Sequence, residues 1–379
     1  MKCDADVLVI GGGQAALRSA IEARELGASV IIVTKGKAGG GGSSVISDGV
    51  HSAIFSQGDS PESFYEDMMR GGKGINDSCL VRILAEECTV RVKELSEKFG
   101  IETYNEKVVA TPGHSYPRRC YADNGTGKTV TLKMREYAEQ IGITCIENTW
   151  IVDLIRNDRI EGAIGIHDHD WVQIFAGSTI LATGGIGGLY EQSDNPIDVS
   201  GEGIGIAWRH GAFLQDMEFI QFYPYRLIEP INIDLFTKIF AKGAKMLNAA
   251  GERFMEAFPR KEMETRDVLC YEMYKQGLVY LDLGEVNPTE LNASSPKLAG
   301  LMKKGYKGPL RIEPERSRQI DPDENLVRSG SSDRRNDQVQ GPERQLSGPE
   351  RRHQVRHGHG ASAFYARSVS DGVGKYRAR

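Results

Sequence analysis

The first 35 residues restrict the fold more than any other part of the chain. Residues 5–10 (ADVLVI) form a short β-branched run of the kind buried in parallel sheets. Gly11-Gly12-Gly13-Gln14-Ala15-Ala16 follows at once and fits the pattern G-x-G-x-x-A. A helical pattern then runs through Leu17, Ala20, Ile21 and Leu26 to Gly27, and a second strand spans residues 29–33. Strand, glycine turn, helix and strand in about 30 residues form the context in which this motif binds dinucleotides. Each small residue has a physical task. Gly11 permits the tight turn, Gly13 lets a pyrophosphate reach the backbone, and Ala16 keeps the helix close to the sheet. The helix start presents free N–H groups and the positive end of its dipole to the phosphates.

An acidic residue usually closes the second strand of such a unit and binds ribose hydroxyls. Here Thr34 and Lys35 stand in that place, which weakens a plain nicotinamide-dinucleotide reading. Residues 36–42 are mostly glycine, and Ser43-Ser44-Val45-Ile46-Ser47-Asp48-Gly49 follows. A donor-rich, flexible backbone of this kind can wrap an extended dinucleotide or the edge of a flavin ring. The chain has 44 glycines in 379 residues, without the three-residue period of collagen.

Further along, residues 77–99 read as an amphipathic helix, with Asp77 as N-cap, Gly100 just past its end, and Leu80, Leu84, Cys88, Val92, Leu95 and Phe99 on one stripe. A shorter helix is expected over 131–141, then strands near 143–156, 160–166 and 171–182. The His167-Asp168-His169-Asp170 run lies between two of these strands and reads as a polar hairpin turn rather than a metal site. The last strand enters a glycine turn, Thr183-Gly184-Gly185, and Ser200-Gly201-Glu202-Gly203 opens another helix. The six cysteines include no Cys-x-x-Cys pair and no tight metal spacing, which predicts reduced structural thiols.

Taken in order, these segments resemble the flavoprotein subunits of the fumarate reductase/succinate dehydrogenase family, which includes L-aspartate oxidase. The resemblance rests on IGGGQAAL (10–17), TK (34–35), SSVISDG (43–49), GHSYPR (113–118), TGK (126–128), ILATGG (180–185), SGEGIGIAWRHGA (200–212), QDMEFIQFYP (215–224), LNAAGERFME (247–256), TRD (265–267) and VYLDL (279–283). It implies an α/β fold: a glutathione-reductase-like Rossmann FAD domain over residues 1–224, with an inserted α+β capping and substrate domain over 225–314. By the same resemblance Gly11, Gly12, Gly13, Gln14, Ala15 and Ala16 would meet the FAD pyrophosphate, and Thr34 and Lys35 the adenosine ribose side. Ser43, Ser44 and Gly49 would pass the isoalloxazine, while Thr183, Gly184, Gly185 and Glu202 complete the cofactor site. Some respiratory members attach FAD through a histidine at the position of Ser43. Serine cannot form that bond, which implies non-covalent FAD.

For substrate, the resemblance implies a small carboxylic acid that exchanges two electrons with the flavin. Arg266 aligns with the arginine that protonates substrate carbon, and Thr237 with a substrate-binding threonine. Arg253 reads as a structural ion-pair partner. Tyr223 stands in place of a histidine of the family's Gln-Phe-His-Pro and is implied to bind substrate by donating a hydrogen bond, while Lys238 replaces the glutamate of the proton relay. The electron partner implied is an iron–sulfur subunit. An oxidase like L-aspartate oxidase and an inactive flavoprotein remnant are the alternatives.

Residues 315–379 differ in character. They hold 13 basic and 9 acidic residues, a net of +4 against −9 for the rest, and repeat Gly-Pro-Glu-Arg at 341–344 and 348–351. With nine residues from Ile, Leu, Val, Phe, Met and Trp, this stretch cannot offset its ordering entropy by burial. It reads as a disordered extension or as the product of a shifted reading frame. The family's final His-x-Met-Gly-Gly and Asn-Arg-Leu-Gly-Gly stretches are not found in it. The net charge of −5 argues against a nucleic-acid binder defined by a basic surface. No apolar run approaches the ~20 residues of a membrane span, and the strand pattern starting a few residues after Met1 gives the expectation that no signal peptide is present. The expectation is a cytoplasmic protein, with a peripheral place at the membrane open to it only through its partner.

Overall fold

Apolar β-branched strands pair in parallel at the centre of the molecule, where both faces of a sheet can be covered. The computed structural model describes residues 2–105, 112–122, 126–190, 193–235 and 237–313. The 315–379 segment and its expected disorder lie outside the described residues. Strand Lys2–Ile10 runs parallel to Val30–Val33 on one side and to Asp170–Leu181 on the other. Thr144–Ile146 joins Val30–Val33 in parallel, while Ile160–His167 and Thr149–Arg156 extend the opposite edge antiparallel, making six strands. Helices Gln14–Glu25 and Gly127–Gln140 cover one face, where Leu17, Ala20, Ile21 and Met134 meet Val9, Val30 and Ile32. Ile151, Leu154, Val172, Ile174 and Ile206 pack with Leu8, Ile10, Ile31 and Val33 on the other face. The 167–170 run is the hairpin turn expected: His167 pairs with Asp170, and Asp168 and His169 take φ of 47° and 73°. Two consecutive positive φ values are the signature of a type I′ turn.

Two helices depart from the sequence reading. Ser78–Glu97 is capped by the Asp77 carboxylate, which accepts from the N–H groups of Cys79 and Leu80. Its buried stripe is Val81, Ala85, Cys88, Val92 and Leu95, whereas Leu80 and Leu84 are half exposed. The stripe starts one residue later because the helix packs on a neighbour that the periodicity did not reveal. That neighbour, Pro61–Gly71, is fixed by a reciprocal Ser60–Ser63 capping box and by proline in its first turn. The Gly127–Gln140 helix starts four residues earlier than expected, with Thr126 accepting from the N–H of Thr129.

Residues 226–313 build a second, five-stranded antiparallel sheet with its own core around Tyr225, Leu227, Met246, Met255, Leu269, Met273 and Ile312. Arg253 is a structural ion-pair partner here: it holds the buried Glu262 at 2.6 Å and Glu256 at 2.7 Å.

A buried ion network ties the 113–118 segment to Pro61–Gly71. The Arg118 side chain is fully buried; it grips Asp59 through Nε (2.8 Å) and Nη2 (2.7 Å), donates to Asp67 at 2.5 Å, and lies 4.5 Å from the Phe64 ring centre. Ser115 adds two hydrogen bonds of 2.7 Å to Asp67. Burial alone would raise the Asp67 carboxyl, but these donors outweigh it and hold it at about 2, against 3.8 ordinarily. A depressed carboxyl stabilises the fold above its unfolded pKa and loses that contribution as pH falls through the folded one. We expect about 2 kcal/mol of stability to disappear between roughly pH 4 and pH 2. Urea unfolding of wild type and Asp67→Asn across this range checks it: the variant should show the flatter pH profile, and equal slopes would contradict the assignment.

Candidate functional site

Parallel pairing brings three loops to one edge of the central sheet. Ile10 is in register with Val33 and with Leu181, so the chain leaves all three strands side by side at their carboxyl ends. Open α/β sheets bind ligands at this edge. The first loop is tight because it must be. Gly11 has φ of 129°, and a Cβ there would lie 2.1 Å from the Ala182 carbonyl oxygen. At Gly12 a Cβ would meet Thr34 Oγ1 at 2.8 Å, and at Gly13 it would meet Ser44 Oγ at 3.0 Å. Gly13 is the N-cap of Gln14–Glu25 and supplies no side-chain cap. Ser44 Oγ accepts the Gln14 N–H at 3.2 Å. Ala15 and Ala16 lie in the first turn, whose N–H groups have no partner within the helix.

The second and third loops close around this helix start. The Thr34 side chain is buried beside Gly12. Lys35 Nζ lies 3.1 Å from Glu202, 5.6 Å from the Trp150 ring centre, and bonds the Asp198 carbonyl. Burial pushes the Glu202 carboxyl up, but the Ser200 hydroxyl, its own N–H and Lys35 outweigh this and keep it below the usual range. Thr183 and Gly184 follow the Asp170–Leu181 strand, and a Cβ on Gly203 would fall 2.0 Å from Thr183 Oγ1. Gly185, next in this turn, has open space where its Cβ would stand. The glycine-rich loop is bolted down by Glu147, which accepts the Ala38 N–H at 3.0 Å.

Residues 43–46 form a short helix rather than a free loop. Ser43 Oγ donates to Asn195 Oδ1 at 2.6 Å. Gly49 takes φ of 63° against the backbone of Thr126, where a Cβ would stand 2.8 Å from the carbonyl carbon. Sequence reasoning missed Trp150, Asn195 and Glu147. No motif marks them, and only the strand register brings them to this edge.

The second sheet contributes Arg266, first residue of helix Arg266–Gln276, whose guanidinium lies 5.4 Å from the Tyr223 ring centre. Among the described residues it forms no ion pair. Tyr223 donates its hydroxyl to the Leu235 carbonyl at 2.7 Å, so its ring, not its O–H, faces Arg266. Burial raises the Tyr223 phenol above its usual range; Arg266 opposes this, and Asp234, Asp48 and Asp194 add to it. Asp48 belongs to the 43–49 segment. Thr265 reaches the 113–118 segment: its methyl would be 3.6 Å from a Cβ on Gly113. Lys238 lies 5.1 Å from the Tyr121 ring centre, and Thr237 starts its short helix. Burial pushes the Cys270 thiol up to about 12, so it stays protonated.

Comparison with known proteins gives this geometry its context. Residues 6–325 match the family model described as FAD binding domain. A subunit of the CoM/CoB fumarate reductase of Methanothermobacter marburgensis is 35% identical over 306 residues, covering 75% of this chain and 56% of that protein. L-aspartate oxidase of Clostridium perfringens is 30% identical over 313 residues, covering 79% and 70%. The chain belongs to the fumarate reductase/succinate dehydrogenase flavoprotein family. The E. coli quinol fumarate reductase chain FrdA shares the fold, with a TM-score of 0.74 at 24% identity over 83% of this chain and 60% of that one. This chain thus spans little more than half the length of the first of these relatives. The family's cofactor is FAD, and the residues present fit it. Side chains are missing at Gly11, Gly12 and Gly13, where a pyrophosphate must approach, and the N-cap Gly13 supplies no side-chain cap of its own.

Proposed function

We propose that the chain is the flavoprotein of an FAD-dependent oxidoreductase acting on a small carboxylic acid, with residues 1–224 holding FAD non-covalently and 225–314 presenting the substrate side. The observation that supports this is the Arg266 guanidinium, which lies 5.4 Å from the Tyr223 ring centre and forms no ion pair among the described residues. Gly11–Ala16 would hold the pyrophosphate, Thr34 and Lys35 the adenosine side, and Ser43, Ser44, Gly49, Thr183–Gly185 and Glu202 the remainder. Ser43 offers no nucleophile able to form the covalent link of a histidine. When bound, FAD supplies two-electron chemistry.

The protein's own part is to bind, orient and move a proton. Arg266 would hold a substrate carboxylate through its planar fork of donors. The same guanidinium would keep a proton beside the reacting carbon. With an ordinary pKa above 12 it needs a dry site and a relay to release that proton. By the family resemblance Thr237 would bind substrate, and Tyr223 would align the arginine through its ring face. Among the described residues no helix is long and apolar enough to cross a membrane. An iron–sulfur subunit is the proposed electron partner, and a cytoplasmic or peripheral location follows from that reading.

Anaerobic reoxidation tests this function. The FAD-loaded chain, reduced chemically, should be reoxidised by a small unsaturated dicarboxylate such as fumarate. Reoxidation by oxygen with peroxide release would assign an oxidase instead. Reduced flavin that persists with a panel of unsaturated acids and with oxygen would contradict the proposal.

A further inference from the structure

Residues 36–42 include five glycines, which alone would leave the backbone wide freedom. Two side chains remove that freedom at its centre. Ala38 is 0% exposed; its N–H donates to Glu147 Oε1 at 3.0 Å, and its carbonyl accepts from Arg135 Nη1 at 3.2 Å. Arg135 and Glu147 are themselves paired at 3.0 Å, with only 25% and 22% of their side chains exposed. The grip continues into Gly39, whose carbonyl accepts the buried Thr131 hydroxyl at 2.9 Å and whose N–H donates to the Gly12 carbonyl at 2.8 Å. Gly39 takes φ of 68°, and a Cβ there would stand 2.8 Å from the Thr131 carbonyl oxygen. Both backbone groups of both residues are therefore fixed.

The bond to Gly12 reaches the first loop. The Gly12–Gly13 peptide is trans, so its C=O and N–H point in opposite directions. With the Gly12 carbonyl held on Gly39, the Gly13 N–H is turned away from the glycine-rich loop. It joins the N–H groups of the Gln14–Glu25 first turn, which have no partner within the helix. Ala38 also packs on Gly12, where a Cβ would meet the Ala38 Cα at 3.2 Å.

We propose that Arg135 and Glu147 are positioning residues for the dinucleotide. They hold Ala38 and, through the Gly39–Gly12 bond, present the Gly13 N–H to the FAD pyrophosphate. The inference rests on the reading of Gly11–Ala16 as the pyrophosphate turn. It adds two residues, 97 and 109 positions along the chain from Ala38, that act on this turn without touching the ligand. Arg135 also pairs with Glu139 at 2.8 Å, so removing Glu147 does not strand its charge.

Flavin-fluorescence titration of the full chain with FAD, and competition by ADP, tests it. ADP carries the adenosine and the pyrophosphate without the flavin. Glu147→Ala should raise the Kd of FAD and of ADP alike, each about tenfold, the size of one hydrogen bond to a charged group. Arg135→Ala should do the same. Glu147→Gln keeps an Oε1 able to accept from both Ala38 and Arg135, and should stay within about threefold of wild type. A Glu147→Gln chain as weak as Glu147→Ala would overturn the proposal. So would weaker FAD with unchanged ADP, which would place the effect on the flavin side, or wild-type affinity in both Ala variants. A wild-type chain that binds neither FAD nor ADP would bring down the cofactor reading, and the proposal with it.

Discussion

Replacing Arg266 by Ala should reduce turnover at least about a thousandfold while leaving FAD bound. The loss combines two terms: a charge-assisted grip on the substrate carboxylate and a positioned proton donor, and general acid catalysis alone contributes about 10²–10⁴-fold. Lys at this position keeps the charge but not the planar fork, so Arg266→Lys should recover only a minor part of the rate. Steady-state kinetics with the flavin content measured in each variant would show it. The fold should survive, because Arg266 is exposed and forms no ion pair among the described residues. Wild-type turnover in Arg266→Ala would remove this residue from the chemistry.

Gly11→Ala should abolish cofactor binding and lower stability together. Its Cβ would overlap the Ala182 carbonyl at 2.1 Å, in a backbone conformation (φ 129°) that side chains rarely adopt. The contact cannot relax cheaply. Both partners are backbone, and both adjoin paired central strands, with Ala182 N–H donating to the Ile10 carbonyl at 2.8 Å. Separating them would disturb the edge where the three loops proposed to hold FAD leave the sheet. Gly71→Ala is the useful contrast, since no atom lies within 4 Å of its missing Cβ and it ends the Pro61–Gly71 helix, outside the residues proposed to hold FAD. Denaturant midpoints and bound flavin should fall sharply in the first variant and change little in the second.

The glycine turn and its strand–helix context were legible because they are written in local spacing. Strand, glycine turn and helix occupy adjacent residues, and Gly11, Gly13 and Ala16 have local reasons for being small. The hairpin at 167–170 was legible for the same reason. Distance in the chain hid the rest. Asn195 meets Ser43 across 152 residues, and Lys35 meets Glu202 across 167. Of the stripe expected along Ser78–Glu97, Cys88, Val92, Leu95 and Phe99 are buried, but Val81 and Ala85 take the places expected for Leu80 and Leu84 because the partner Pro61–Gly71 was not foreseen. At the substrate side, sequence favoured Tyr223 by alignment, but a hydroxyl's availability depends on what it already bonds. Tyr223 is already engaged by the Leu235 carbonyl, which no periodicity in the sequence reveals.

The proposed chemistry depends on the three-loop cradle holding FAD. Titration of the purified chain with FAD, followed by gel filtration and absorbance at about 450 nm, the flavin's own band, measures this directly. One FAD per chain should survive the column yet be released by denaturation, since no covalent link is formed. A colourless protein that cannot be loaded with FAD would contradict it.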